Sequence, residues 1–120
     1  MNDVTKATKW FHLASKAGNS NAVYALGSLY YEGVGVQLNL KEAFNLYLMA
    51  AKQGNTAAAH KVGNMYFNGE DVKANYKKAM RWFKRAAIQG NDDAQYSLGY
   101  MLKNGVGEPV NYKKALSWFR

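Results

Sequence analysis

Alanine recurs at a fixed interval of 36 residues, at positions 7, 43, 79 and 115. Other residue types keep the same interval, so the chain is an array of one repeated unit. A repeat of this length cannot bury its own apolar side, so neighbouring units must stack on one another. The period therefore predicts a solenoid, and solenoids bind other molecules more often than they catalyse reactions.

Two helical patterns alternate within each unit. In the second of them, which we name helix B, large apolar residues and alanines recur at the i, i+3, i+4, i+7 spacing of a helix. Its large columns hold Trp10, Leu46, Trp82 and Trp118, followed by Phe11, Tyr47, Phe83 and Phe119. We expect the tryptophan column to form the centre of the stacked core. Asn39, Asn75 and Asn111 precede helix B as N-cap residues, and Gly54 and Gly90 follow its end.

The first pattern, helix A, follows Asn19, Asn55 and Asn91 and stops at Gly33, Gly69 and Gly105. It contains a glycine at position 27, 63 or 99, which costs about 1 kcal/mol of helix propensity relative to alanine. Close approach of the neighbouring helix would offset that cost, because a side chain at this point would be too large. The sequence therefore predicts helix hairpins packed closely at these glycines.

One run of residues has a familiar order: Ala22-x3-Leu26-Gly27-x2-Tyr30-x2-Gly33-Val34-Gly35, then Asn39-x3-Ala43 and Ala50-Ala51-x2-Gly54. It resembles the Sel-one-like repeat, a relative of the tetratricopeptide repeat, over nearly the whole chain. The resemblance implies an all-α fold, a right-handed α/α superhelix of helix-turn-helix repeats. The chain departs from the family pattern at Gly69-Glu70-Asp71, which replaces the Gly-Val-Gly loop, and at Leu102, which replaces the tyrosine.

The family phase divides a single domain, residues 1–120, into a leading helix B and three repeats. The leading helix covers residues 3–18, and the repeats cover 19–54, 55–90 and 91–120. Arg120 aligns with Lys84 inside helix B, so the last repeat is truncated and we expect a fragment of a longer array. An unfinished end would leave Trp118 and Phe119 without cover, which predicts self-association through the chain ends.

The resemblance also implies that helix A lines a concave groove, as it does in tetratricopeptide proteins. The stripe of helix A opposite the core combines asparagines with aromatic rings that carry polar tips, and such side chains suit peptide binding. The predicted groove residues are Asn21, Tyr24, Ser28, Tyr31, Glu32, His60, Asn64, Phe67, Asn68, Tyr96, Tyr100 and Lys103. Alternatively, several of these rings pack between adjacent A helices and hold the superhelix together. Our prediction is a non-catalytic scaffold or adaptor that binds a peptide or partner protein.

A second hypothesis rests on charge, because the chain has 16 Lys+Arg against 8 Asp+Glu and a formal net charge of +8. The densest basic stretch, named here the basic ridge, consists of Lys77, Lys78, Arg81, Lys84 and Arg85. It could bind nucleic acid or another polyanion, with an affinity that falls steeply with salt. No nucleic-acid-binding motif accompanies these charges, so a solvated convex face is the simpler interpretation and nucleic acid is not the expected partner.

Catalytic and metal chemistry is not predicted. Cysteine is absent, which excludes disulfides and thiolate ligands. His12 and His60 lie in different helices without a second ligand at i+3 or i+4, so no metal site is expected, and no cofactor motif is present. The glycine loops follow no strand and lack the Gly-Lys-Ser/Thr of a phosphate loop.

No apolar run reaches the length of a signal or membrane span, which predicts a soluble chain without membrane contact. We expect it in the cytoplasm by default, or in the periplasm or outside the cell if it belongs to a longer precursor. Family resemblance implies bacterial signalling, envelope or host-interaction roles, or quality-control scaffolds in eukaryotes.

Overall fold

The computed structural model describes residues 9, 13, 16, 18–107 and 111–119, and within the last range the Phe119 side chain is excepted. Six helices follow one another along the part of the chain from residue 18 onwards, with no strand among the described residues. They are α1 (Ser20–Glu32), α2 (Leu40–Lys52), α3 (Thr56–Asn68), α4 (Tyr76–Ile88), α5 (Asp92–Asn104) and α6 (Tyr112–Phe119). Helices α1, α3 and α5 are the predicted A helices, and α2, α4 and α6 are the B helices. The predicted all-α solenoid class is confirmed. The leading helix B falls mostly outside the described residues.

Local capping explains where these helices begin and end. Each B helix starts at an asparagine whose Oδ1 accepts a backbone N–H three residues on, with N···O distances of 3.0 Å at Asn39, Asn75 and Asn111. These bonds satisfy donors that the first turn of a helix leaves without intrahelical partners. At the other end of the A helices, Gly33 and Gly105 adopt φ of +70° and +67°, which is the left-handed conformation of a glycine cap. The caps predicted at these positions are confirmed.

Compact packing divides the chain into two units, Met1–Ala58 and Ala59–Arg120. In the first unit, α1 packs on α2, and Val23, Leu26 and Tyr47 are among its fully buried side chains. In the second unit, α5 packs on both α4 and α6, and Phe83 and Leu98 are fully buried. Each unit therefore has its own apolar core.

The helix A glycines lie where a ring from helix B approaches the backbone. A Cβ atom built on Gly27 would lie 3.0 Å from Cδ1 of Tyr47, and one built on Gly63 would lie 2.6 Å from Cε1 of Phe83. Both distances are shorter than ordinary carbon–carbon contact. The close approach predicted at these two positions is confirmed.

The expectation that tryptophan forms the centre of the core is wrong for the residues that the structure describes. Tyr47 and Phe83, one position later, are each 1% exposed, whereas Trp82 and Trp118 are only partly buried and Trp10 lies outside the described residues. Adjacent helical positions point about 100° apart, and at Gly63 the nearest atoms are those of the Phe83 ring. Trp82 lies beside that contact, and the Arg85 guanidinium carbon is 5.3 Å from its ring centroid.

Candidate functional site

A groove in the second unit gathers predicted site residues from two A helices. Its volume is about 300 Å³. Asn64, Phe67 and Asn68 of α3, Phe83 of α4, and Tyr96, Ser97 and Tyr100 of α5 line it. Five of these seven residues are among those predicted from the sequence. We name this site the α3/α5 groove.

The lining combines aromatic rings with uncharged polar groups. Phe83 is 1% exposed, and it forms the buried floor, whereas Tyr96 and Tyr100 are 66% and 47% exposed. The Phe67 ring packs on Tyr76 with a centroid separation of 5.4 Å, which fixes its position at the groove. None of the described lining residues carries a charge. The chemistry of the groove is therefore that of an apolar floor beneath a rim of amide and hydroxyl groups.

In the second unit the predicted groove residues and the observed lining differ at four positions, which are His60, Lys103, Phe83 and Ser97. His60 lies outside the lining and packs on the groove floor, with its ring centroid 5.7 Å from that of Phe83. Exposed Lys103 is also outside the lining. Phe83 and Ser97 line the groove although neither belonged to the predicted set. The sequence feature that indicates the position of the Phe83 ring is Gly63, since a ring must fill the space that this glycine leaves.

In the first unit the equivalent side chains lie around Tyr47, which is the counterpart of Phe83. Tyr24 and Tyr31 place their ring centroids 5.5 and 6.2 Å from that of buried Tyr47. The Tyr47 hydroxyl donates to Ser28 Oγ at 3.0 Å, and Ser28 Oγ donates to the Tyr24 carbonyl at 3.2 Å. These side chains therefore border the buried ring of helix B, as His60 borders Phe83 in the second unit. Their part in binding stays a prediction.

The two remaining predicted residues of the first unit are exposed. Asn21 accepts a hydrogen bond through Oδ1 from Asn55 Nδ2 at 3.0 Å, and Glu32 is at the C-terminal end of α1. The Asn55 amide also donates to the Ser20 carbonyl at 3.4 Å, while its Oδ1 accepts from the Ala58 N–H at 2.9 Å. Asn21 therefore takes part in a structural contact at the start of α1.

Burial shifts the pKa of two groups next to these rings. It raises the pKa of Tyr47 to about 12, an effect that the Ser28 hydrogen bond opposes and that the neighbouring Tyr24, Tyr31 and Glu32 reinforce. Burial also lowers the pKa of His60 below 6.5; nearby Asp93 opposes this shift and Lys61 adds to it. Both groups favour their neutral forms in the folded chain.

A family comparison decides what this architecture is. The model of the Sel1 repeat matches residues 2–19, 20–55, 56–91 and 92–120. The chain belongs to the Sel1 repeat family. Sel1 repeat proteins generally act as non-catalytic protein–protein interaction scaffolds, and they bind proteins.

Solved structures from bacteria share the fold. A Sel1 repeat protein from Oxalobacter formigenes has a TM-score of 0.90 at 30% identity, over 97% of this chain and 47% of that one. The protective antigen c5321 of uropathogenic Escherichia coli has a TM-score of 0.93 at 36% identity, over 97% of this chain and 25% of that one. Helicobacter pylori cysteine rich protein B, with a TM-score of 0.75 and 24% identity over 98% of this chain and 84% of that one, shows the fold alone.

A curated relative matches over a shorter stretch. The rat protein DAP3-binding cell death enhancer 1 is 47% identical over 45 residues, which is 38% of this chain and 9% of that protein. The Sel1 repeat chain therefore spans only a small part of that relative, and a quarter to a half of two of the solved structures.

The basic ridge of this Sel1 repeat chain separates into two groups on α4. Lys77, Arg81 and Lys84 line a concavity of about 350 Å³ together with Met80 and Gly107, which we name the basic concavity. The other two cations cover aromatic rings: Lys78 Nζ is 5.5 Å from the Tyr66 centroid, and Arg85 lies over Trp82. Of the four residues predicted to lie along one side of this helix, the first three thus share the concavity, whereas Arg85 is not among its described lining residues.

The described residues contain no metal-binding cluster and no membrane-spanning helix. No three His, Cys, Asp or Glu side chains among them are grouped as a metal ion would require. None of the helices found in that part of the Sel1 repeat chain combines the length and the apolar character needed to cross a bilayer.

Proposed function

We propose that this Sel1 repeat chain is an adaptor whose α3/α5 groove binds an extended segment of a partner protein. The observation that carries the proposal is the uncharged lining, in which aromatic rings and asparagine side chains surround a buried floor. Such a surface can bind an apolar side chain on its rings and hydrogen-bond a peptide backbone through its amides. The family's general role as an interaction scaffold supports it.

The volume of the groove sets the scale of what it can hold. About 300 Å³ is at the lower end of typical ligand pockets, so it accommodates one or two side chains of a segment rather than a folded domain. The core beneath it is packed by the chain's own residues, because Phe83 contacts Gly63 and His60. A bound segment would not have to supply the free energy of ordering its own site.

The test begins with peptides selected from a random twelve-residue display library on the wild-type chain. Their affinities are then measured for the Tyr96→Ala/Tyr100→Ala variant and for Tyr112→Ala as a matched control. Tyr112 is an equally exposed tyrosine at 65%, and it does not line the groove. Removing two rim rings should weaken binding roughly tenfold or more, since aromatic side chains at the centre of an interface dominate its energy.

The control variant should bind as the wild type does. Thermal unfolding of all three proteins should remain similar, because the three side chains are exposed. If the selected peptides bind the double variant undiminished, or lose affinity equally for the control, the groove is not their site.

The other functional expectations remain predictions. Binding of a polyanion by the basic ridge would show a steep decline of affinity with salt, unlike binding in an uncharged groove. Self-association through the chain ends would show as a light-scattering mass that rises with concentration.

A further inference from the structure

The basic concavity is a second surface that shares no lining residue with the α3/α5 groove. Lys77, Arg81 and Lys84 follow one another at i, i+4 and i+7 on α4, so their side chains lie along one side of that helix. Met80 lines the same concavity and is only 5% exposed. The surface therefore combines an apolar base with three cationic groups at its edge.

The opposite wall of the basic concavity comes from the loop after α5. Gly107 adopts φ of +84°, and a Cβ atom on it would lie 3.2 Å from the Tyr76 carbonyl oxygen and 3.5 Å from Met101 Cε. This backbone thus packs directly on the first turn of α4. The wall is held by close contact with the helix that carries the cations, so the concavity is formed before any partner binds.

The charge of the site is unbalanced. No acidic residue is among the described residues that line it, and the whole of α4 contains no Asp or Glu. The formal net charge of the chain has the same sign, at +8. Such a field attracts anionic groups and speeds their encounter with the surface.

We propose that the basic concavity is a docking site for an acidic segment of a partner protein. Carboxylates of the segment contact Lys77, Arg81 and Lys84, and an apolar side chain beside them contacts Met80. The proposal does not depend on binding in the α3/α5 groove, because the two sites share no residue.

Two observations favour an acidic peptide over nucleic acid. Proteins that bind single strands use aromatic rings as stacking platforms for bases, but near the ridge a cation already lies over Tyr66 and another over Trp82, and the Phe67 ring packs on Tyr76. The buried thioether of Met80 offers an apolar contact that a sugar–phosphate backbone does not use. An acidic segment that carries one apolar side chain matches both parts of the surface.

The test uses a fluorescent twelve-residue peptide that has four glutamates around one leucine, together with two altered peptides. In one, glutamine replaces every glutamate; in the other, serine replaces the leucine. The protein variant is Lys77→Gln/Arg81→Gln/Lys84→Gln, and its matched control is Lys9→Gln/Lys41→Gln/Lys52→Gln. The three control lysines are exposed and line none of the concavities described, and both variants remove the same charge.

The wild type and the matched control should bind the acidic peptide alike, and the site variant should bind it about tenfold more weakly. Binding should fall as salt is raised, be lost with the glutamine peptide, and weaken several-fold with the serine peptide. Arg81→Gln alone, at an exposed position, should show part of the loss while unfolding at the wild-type temperature.

Three results would overturn the proposal. The first is an equal loss of acidic-peptide affinity in the matched control, which would show that net charge alone explains the effect. The second is unchanged affinity for the serine peptide, which would remove Met80 from the site. The third is tighter binding of a single-stranded oligonucleotide than of the acidic peptide, with the same dependence on the three cations. Tyr96→Ala/Tyr100→Ala should leave acidic-peptide binding unchanged, which separates this test from that of the groove.

Discussion

Replacing Gly63 with alanine has two opposite effects on the free energy of unfolding, one from helix propensity and one from core packing. Alanine favours a helix over glycine by about 1 kcal/mol, so Gly63→Ala on an open helix surface would stabilise the chain. Here the new methyl group would lie 2.6 Å from Cε1 and 2.7 Å from Cδ1 of Phe83. Overpacking a core costs about 1–3 kcal/mol, and the upper part of that range applies because the ring is only 1% exposed. We therefore expect Gly63→Ala to lower the free energy of unfolding by about 1–2 kcal/mol.

Gly27 provides the matched control. Its Cβ position lies 3.0 Å from Tyr47 Cδ1 and 3.3 Å from Leu46 Cβ, so a smaller shift of the ring relieves the contact. The overpacking cost and the gain in helix propensity should nearly cancel, which leaves Gly27→Ala within about 0.5 kcal/mol of the wild type. Urea unfolding followed by circular dichroism measures both variants.

A double-variant cycle assigns the cost to the ring itself. In a Phe83→Leu background the space opposite Gly63 is larger, so Gly63→Ala should become neutral or stabilising there. The coupling energy between the two positions should then reach about 1 kcal/mol or more. The reasoning fails if Gly63→Ala stabilises the wild-type chain, or if its cost is the same in both backgrounds.

Three further variants test the described contacts. Asp71 has φ of +58° where the equivalent positions hold Gly35 and Gly107, so Asp71→Gly should raise the free energy of unfolding by about 0.5–1 kcal/mol in urea, and an unchanged value would argue against strain there. Tyr47→Phe removes a buried donor and should cost about 0.5–1.5 kcal/mol at neutral pH. Because burial raises the pKa of Tyr47 from 10.0 to about 12, wild-type stability should also fall between those pH values, and the phenylalanine variant should lack this part of the decline. Burial lowers the pKa of His60 from 6.5, so the stability that its neutral imidazole contributes is complete above pH 6.5 and is lost as the pH falls below that value. His60→Gln should therefore make the free energy of unfolding decline less steeply with acid, and an unchanged slope would contradict the assignment.

Helix boundaries were predictable because capping is local. An asparagine that caps a helix acts within three residues, so the starts at Asn39 and Asn75 can be inferred from the sequence without knowledge of the tertiary fold. The choice between Trp82 and Phe83 as the buried ring was not local. Both are large and apolar, and the glycine of another helix decides which one fits.

Site residues were predictable as columns of the repeat, whereas the hydrogen bonds within each column were not. Periodicity placed Asn64 and Tyr100 at the α3/α5 groove. The same columns in the first repeat hold Ser28, which accepts from the Tyr47 hydroxyl, whereas Phe83 at the corresponding position has no hydroxyl to donate. The Tyr47 hydroxyl thus adds a hydrogen bond in the first repeat that the second repeat lacks, and periodicity alone does not show that difference.

The side-chain amide of Asn55 makes hydrogen bonds at the starts of two helices, α1 and α3. Its oxygen initiates one helix while its nitrogen holds the start of the helix one period earlier. An aspartate there would retain the acceptor and lose the donor, so the start of α3 would keep its cap while Ser20 and Asn21 would lose their hydrogen bonds to this side chain. Replacing one nitrogen atom by oxygen would thus separate the two functions of a single side chain.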